Sequence, residues 1–121
     1  MNDRNGIQQC IERYYESLMN SNPAEVRAVF HANARITGYL PDGLHQMTVG
    51  EFADFVAGQN PSPAELGAER MLETLSCEIS GETAGVRIRE AYLGMTFTDT
   101  FGMLKVDGEW TIYSKLFHVE S

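Results

Sequence analysis

The chain has 121 residues, enough for one domain. With 43% hydrophobic residues it can build a sizeable core, which excludes a disordered chain. Its 17 acidic against 9 basic side chains give a net charge of −8. Lys and Arg nowhere form a run, so the cationic footprint needed for nucleic acid or an anionic membrane surface is missing.

The opening "MNDRNG" is polar and unlike a signal peptide. No apolar run approaches the roughly 20 residues that span a bilayer, so a soluble, cytoplasmic protein is expected. "NGIQQCIERYYESLMNSN" places Ile7, Cys10, Ile11, Tyr14 and Leu18 on one helical stripe, with Glu and Arg on the other face. Asn22-Pro23-Ala24-Glu25 reads as a second helix start, with Asn as cap and Pro in the first turn. Val26, Val29 and Phe30 carry its apolar face. "ARITGYL" reads as a strand ending at the turn-prone "PDG" of residues 41–43, and "HQMTV" can pair back on it. Thr48-Val49-Gly50-Glu51 is a capping-box pattern. It opens a third helix with Val49, Phe52, Phe55 and Val56 inward, stopped by Gly58 and "NPSP".

Beyond this point the period changes. "ERMLETLSCEIS", "AGVRIREAYLGM", "TFTDTFGMLKV" and "EWTIYSKLFHV" read as long strands, with hairpin turns at 80–83 and 106–109. Helices first and then a strand meander predict an α+β fold, its helices on one face of a curved, mostly antiparallel sheet. Cys10 on the helix stripe and Cys77 in a strand read as two reduced core thiols. No Cys-x-x-Cys or His-x-x-x-His spacing indicates a metal, and no glycine-rich phosphate loop indicates a nucleotide, so no cofactor is expected.

Two stretches carry a resemblance. "IERYYESLMNSNPAEVRAVFHANARITGY" and "FTDTFGMLKVDGEWTIYSKLFH" resemble, in order and spacing, the nuclear transport factor 2-like superfamily of cone-shaped α+β domains. Within it the chain looks most like the group called putative lumazine-binding, with SnoaL-like proteins as cousins. The resemblance implies a single domain over residues 1–121, a bent sheet around the first helix, a cavity at the open end of the cone, and a homodimer through the sheet face. It does not fix function, because members use the cavity for isomerisation, cyclisation, dehydration or binding alone.

The ketosteroid isomerase pattern of that superfamily, a tyrosine and a protonated aspartic acid beside a separate carboxylate base, gives the chemical comparison. It falls here on Tyr14 and Asp99, while the base position falls on Gly38, which has no side chain. Steroid isomerisation in its usual form is therefore not expected. Tyr39 is adjacent, but strand alternation sends it to the other face unless a bulge intervenes.

Asp99 would have Phe97 and Phe101 as inward neighbours, which disfavours its charge. It then stays protonated or finds a cationic or hydrogen-bonding partner; Lys115 on the next strand is one candidate, and Glu90 on the preceding strand would compete for the same lysine. The opposite reading turns Asp99 outward and Thr96, Thr98 and Thr100 inward. The last strand has two registers. A two-residue turn at Asp107-Gly108 puts Asp99 opposite Leu116, with Ile112, Ser114 and Leu116 lining the cavity. A one-residue bulge turns Tyr113, Lys115 and Phe117 inward instead.

Candidate catalytic residues are Asp99, Tyr14 and His31, the last from "VFHANA". Candidate ligand contacts add Tyr39, Phe55, Glu90, Tyr92 and Phe97, and further Phe101, Met103 and Lys115. His45 reads as a surface turn residue, His118 as a residue near a second subunit, and Trp110 as a plug near the sheet edge. Methionines and aromatics, Met71, Met95, Phe52 and Phe55 among them, suit an adaptable apolar lining and equally an ordinary core. The favoured expectation is a small-molecule-binding domain. An isomerase, cyclase or dehydratase using Asp99 as acid or base stands beside it, and a plain dimerisation module is third.

Overall fold

The computed structural model describes residues 2–120. Three helices, α1 (Asp3–Met19), α2 (Pro23–Val29) and α3 (Val49–Ala57), accompany six strands. The strands are β1 (Phe30–Leu40), β2 (Gly43–Thr48), β3 (Leu72–Ser80), β4 (Thr83–Tyr92), β5 (Met95–Val106) and β6 (Glu109–Val119). They form one sheet in the order β2-β1-β6-β5-β4-β3, antiparallel throughout except for the parallel β1–β6 pair. This is the expected α+β architecture.

The helix starts follow from capping. The Asn22 side chain accepts from the Glu25 amide, and Thr48 with Glu51 forms both halves of a capping box. The α1 stripe (Ile7, Cys10, Ile11, Tyr14 and Leu18) is buried against the inner sheet face, whose alternate residues include Ile36, Val86, Ile88, Phe101 and Ile112. Trp110 is largely buried near the start of β6, where its indole N–H donates to Asp3 at 3.2 Å. Both cysteines are free thiols, Cys10 buried and Cys77 half-buried. No described helix is long and apolar enough to cross a membrane. The outer sheet face, where pairing with a second copy was expected, exposes Tyr39, Leu44 and Leu116.

Two strands depart from the sequence expectation. β1 begins at Phe30 rather than Ala34, and its register against β6 jumps from Phe30–Ile112 to Arg35–Ser114. The irregular stretch holds His31, which sits edge-on to Tyr113 at 5.2 Å and accepts from the Asn33 amide. β4 turns into β5 at Leu93 and Gly94, both at positive φ, where the sequence reads as continuous strand.

β6 resolves the register question. From the turn, Glu109–Val106 through Ile112–Met103 pair in step; then Ser114 faces Gly102, and Phe117 faces Asp99. The extra residue is Tyr113, a bulge that leaves Ile112 inward before it and Lys115 and Phe117 inward after it. Tyr113 itself is exposed, contrary to the expectation that the bulged register would turn it inward. The ring is the bulged residue and has no strand position to alternate into.

Candidate functional site

Between α3 and the C-terminal ends of β1, β4 and β6 lies a pocket of about 200 Å³. Phe52 and Phe55 of α3, Phe97 of β5 and Phe117 of β6 give it aromatic walls. Leu40, Met47, Leu93 and Met95 complete the apolar lining, His45 stands among them, and Tyr92 belongs to the β4 side. Glu90 and Lys115 supply the charge.

Capping and bulging position these groups. The box at Thr48 starts α3 so that Phe52 and Phe55, one turn apart, both reach the pocket. The bulge at Tyr113 brings Lys115 inward against β5, and unbroken pairing of β4 with β5 brings Glu90 beside Phe97.

Behind the pocket the polar side chains form a chain. The Lys115 ammonium donates to the Tyr14 hydroxyl at 2.5 Å, and that hydroxyl donates to Glu90 Oε2 at 2.6 Å. Lys115 Nζ lies 3.8 Å from the same carboxylate oxygen. Tyr14 is 0% exposed, Glu90 1% and Lys115 5%. The ammonium also lies 4.7 Å from the centre of the Phe52 ring and 4.8 Å from that of Tyr14, where the π faces favour a cation.

Asp99 adjoins this chain, 0% exposed. Neither of its oxygens has a hydrogen-bond partner among the described residues; Glu90 Oε1 and the Tyr92 hydroxyl share that condition. Burial pushes the Asp99 carboxyl well above its ordinary value, and the neighbouring Glu90 charge adds to this, outweighing the pull of Lys115. The one ammonium in this cluster lies against Glu90, which leaves Asp99 without a counter-charge of its own and favours its proton-bound form. The Tyr14 hydroxyl is likewise pushed well up, by burial first and by Glu90 and Asp99 next.

A pH dependence follows. A carboxyl with a raised value binds its proton more tightly folded than unfolded. Its contribution is therefore complete below the ordinary value of 3.8 and is lost as pH rises toward the raised one. Within that interval the folded state weakens by up to about 1.4 kcal/mol per pH unit from this group alone. Asp99→Asn, a neutral near-isostere, is expected to flatten this decline in urea unfolding curves recorded as pH rises from about 4. A variant that keeps the wild-type slope would show that Asp99 is not its source.

The structure separates the residues singled out in the sequence. Phe55, Glu90, Tyr92, Phe97 and Lys115 line the pocket. Tyr14 and Asp99 are buried on the inner side but stand behind the lining, Tyr14 screened by its bonds to Lys115 and Glu90. Phe101 and Met103 are core, Phe101 packed edge-on against Tyr14 with ring centres 5.1 Å apart. Two residues lie away from the pocket. Tyr39 is 57% exposed on the outer face, because no bulge intervenes between it and Gly38. His31 is carried to Tyr113 by the irregular start of β1. Thr98 and Thr100 turn outward, Thr98 bonding Glu120.

His45 was read as a surface turn residue and instead lines the pocket, bonded to Asp42 at 2.7 Å. Counting back from the "PDG" turn pairs it with Gly38 and so with the inner face, which is the signal that could have found it. Gly38 occupies the place where the isomerase comparison puts a base. A Cβ there would lie 2.1 Å from the Phe117 carbonyl oxygen and 2.5 Å from its ring. The position is closed to side chains, and Phe117 fills the space.

Residues 2–118 match the family described as "Putative lumazine-binding". A curated relative, "Aldolase FrzH" of Cladobotryum sp, is 25% identical over 105 residues, 87% of this chain and 82% of that protein. An NTF2-like protein of unknown function from Shewanella baltica is 28% identical, with a TM-score of 0.84 over 98% of this chain and 94% of the other. One from Methylobacillus flagellatus is 27% identical, with a TM-score of 0.86 over 98% and 93%. A third, from Silicibacter pomeroyi, shares the fold at a TM-score of 0.88 and 19% identity, over 99% of this chain and 100% of that one. The chain belongs to the "Putative lumazine-binding" family and, with the Shewanella and Methylobacillus proteins, to the nuclear transport factor 2-like superfamily.

Proposed function

We propose that this protein binds a small, mostly apolar molecule through a single oxygen function, the body of the ligand among the rings and its oxygen at Lys115. The observation that carries the reading is Lys115 in the wall of a mostly apolar pocket, its ammonium backed by Tyr14 and Glu90. Apolar walls with a few placed polar groups are what small-ligand sites offer. The volume of about 200 Å³ lies below the roughly 300–1,000 Å³ of pockets that take drug-sized compounds, which favours molecules of one or two rings. The family's description is in keeping with ligand binding.

A second reading, catalysis at a carbonyl, is favoured by two buried carboxyl groups side by side, Asp99 pushed well up by burial and Glu90 paired with Lys115, and by the similarity to an aldolase. In it, Glu90 takes a proton from the carbon next to the carbonyl, and the electron pair moves onto the oxygen held at Lys115.

One set of tubes tests both. Single-ring ketones such as acetophenone are titrated against the protein in D2O and followed by NMR. Saturable line broadening is expected for the wild type and its loss for Met95→Trp, which fills the pocket from the β4–β5 turn. Binding that survives Met95→Trp would place the ligand elsewhere. Faster exchange of the ketone's methyl protons with wild type than with Glu90→Gln is the result the second reading requires; equal rates reject it.

A further inference from the structure

Among the described residues only two lysines occur, and their settings differ. Lys105 pairs with Asp3 at 2.9 Å and remains partly open to water. Lys115 is desolvated on the pocket wall, with the Phe52, Tyr14 and Phe117 rings about it and polar contact only to Tyr14 and Glu90. As a mere counterion for Glu90 it would be an ordinary structural pair, and such pairs contribute little net stability. A closed core would serve that purpose as well as a pocket wall does. An amine that is desolvated, belongs to a side chain lining the pocket and touches both a proton acceptor and a hydroxyl has what a carbonyl nucleophile needs.

We propose that Lys115 forms a reversible imine with an aldehyde or unhindered ketone bound in the pocket. This rests on the reading of the pocket as an oxygen-ligand site and deepens it to a carbonyl class. The step balances within the chain's own groups. The ammonium gives one proton to the Glu90 carboxylate, and the freed lone pair bonds to the carbonyl carbon. The π pair moves to oxygen, which takes a second proton from the same nitrogen, relayed by the Tyr14 hydroxyl. The resulting hydroxyl leaves as water with the proton held by Glu90. The product is a protonated imine, its positive charge facing the same carboxylate as before. Nothing is oxidised or reduced.

Lys105 provides the internal reference. Wild-type protein and Lys105→Arg are incubated with benzaldehyde and cyanoborohydride, which reduces an imine to a stable benzyl amine. Intact mass counts the groups and peptide mapping places them. Benzylation at Lys115 is expected, roughly tenfold faster than at Lys105, because the aldehyde is concentrated beside a desolvated amine. It should persist in Lys105→Arg. Labelling confined to Lys105 and the α-amine, or equal at both lysines, overturns the proposal. Benzyl alcohol, which has the same ring and no electrophilic carbon, separates the two levels of the argument. If it binds by NMR while Lys115 stays unlabelled, the imine is rejected and the binding site stands. If neither occurs, both fall.

Discussion

Lys115→Met is expected to destabilise the fold by about 3–5 kcal/mol, the size of loss seen when one partner of a buried ion pair is removed. The reason is Glu90 rather than the lysine. At 1% exposure its carboxylate has the Tyr14 hydroxyl at 2.6 Å and the Lys115 ammonium at 3.8 Å, while Oε1 has no partner. Methionine matches the length and apolar character of the lysine stem, so packing against Phe52 and Phe117 is largely kept. What disappears is the counter-charge. The melting temperature should fall by more than about 10 °C. Adding Glu90→Gln to Lys115→Met removes the stranded charge, and the double variant should recover most of the loss. If the single variant melts near wild type, or the second substitution deepens the loss, Lys115 does not neutralise this site.

Gly38→Ala should lower stability by about 1–3 kcal/mol or more, large for one methyl group and of the order seen for overpacked cores. The added carbon would meet the Phe117 carbonyl oxygen at 2.1 Å, and a carbonyl of a paired strand cannot rotate away. The clash falls between β1 and β6, the one parallel seam of the sheet. Phe117→Ala removes the ring atoms at 2.5 and 2.7 Å but leaves the carbonyl in place. The double variant should therefore stay as unstable as the additive sum of its parts. Full rescue by Phe117→Ala would show that the ring, not the backbone, closes this position. The same geometry argues that Gly38→Asp cannot install a general base here.

Much of the architecture was legible in the residues. The stripe of α1, the Asn22 and Thr48 caps and the Asp107-Gly108 turn are local signals, and local signals survive folding. The site was legible in part. Asp99 between Phe97 and Phe101 implies an inward acid, and the structure buries it; Lys115 is a candidate partner for it and Glu90 a rival for that lysine, and in the structure the lysine lies with Glu90 while both adjoin Asp99. What single residues could not fix was the bulge at Tyr113. Nothing in "TIYSK" marks which residue is extra, because the choice is made by packing across β5, where Gly102 makes room for the Ser114 hydroxyl. His31 failed for the same kind of reason, since the irregularity at the start of β1 depends on a partner strand about 80 residues away. The superfamily pattern singles out Tyr14, but its bonds to Lys115 and Glu90 depend on strand register and are not readable in the sequence.

The strand order has a consequence for how the chain comes to be folded. β6 follows the other five strands in chain order, yet it lies between β1 and β5 and joins the two halves of the sheet. A nascent polypeptide emerging from the ribosome holds a β1–β2 hairpin and a β3–β4–β5 meander with no backbone bonds between them. Both halves wait with open edges until β6 arrives, a delay that contacts so distant along the chain impose. Loss of β6 would therefore split the sheet down its centre instead of trimming its rim.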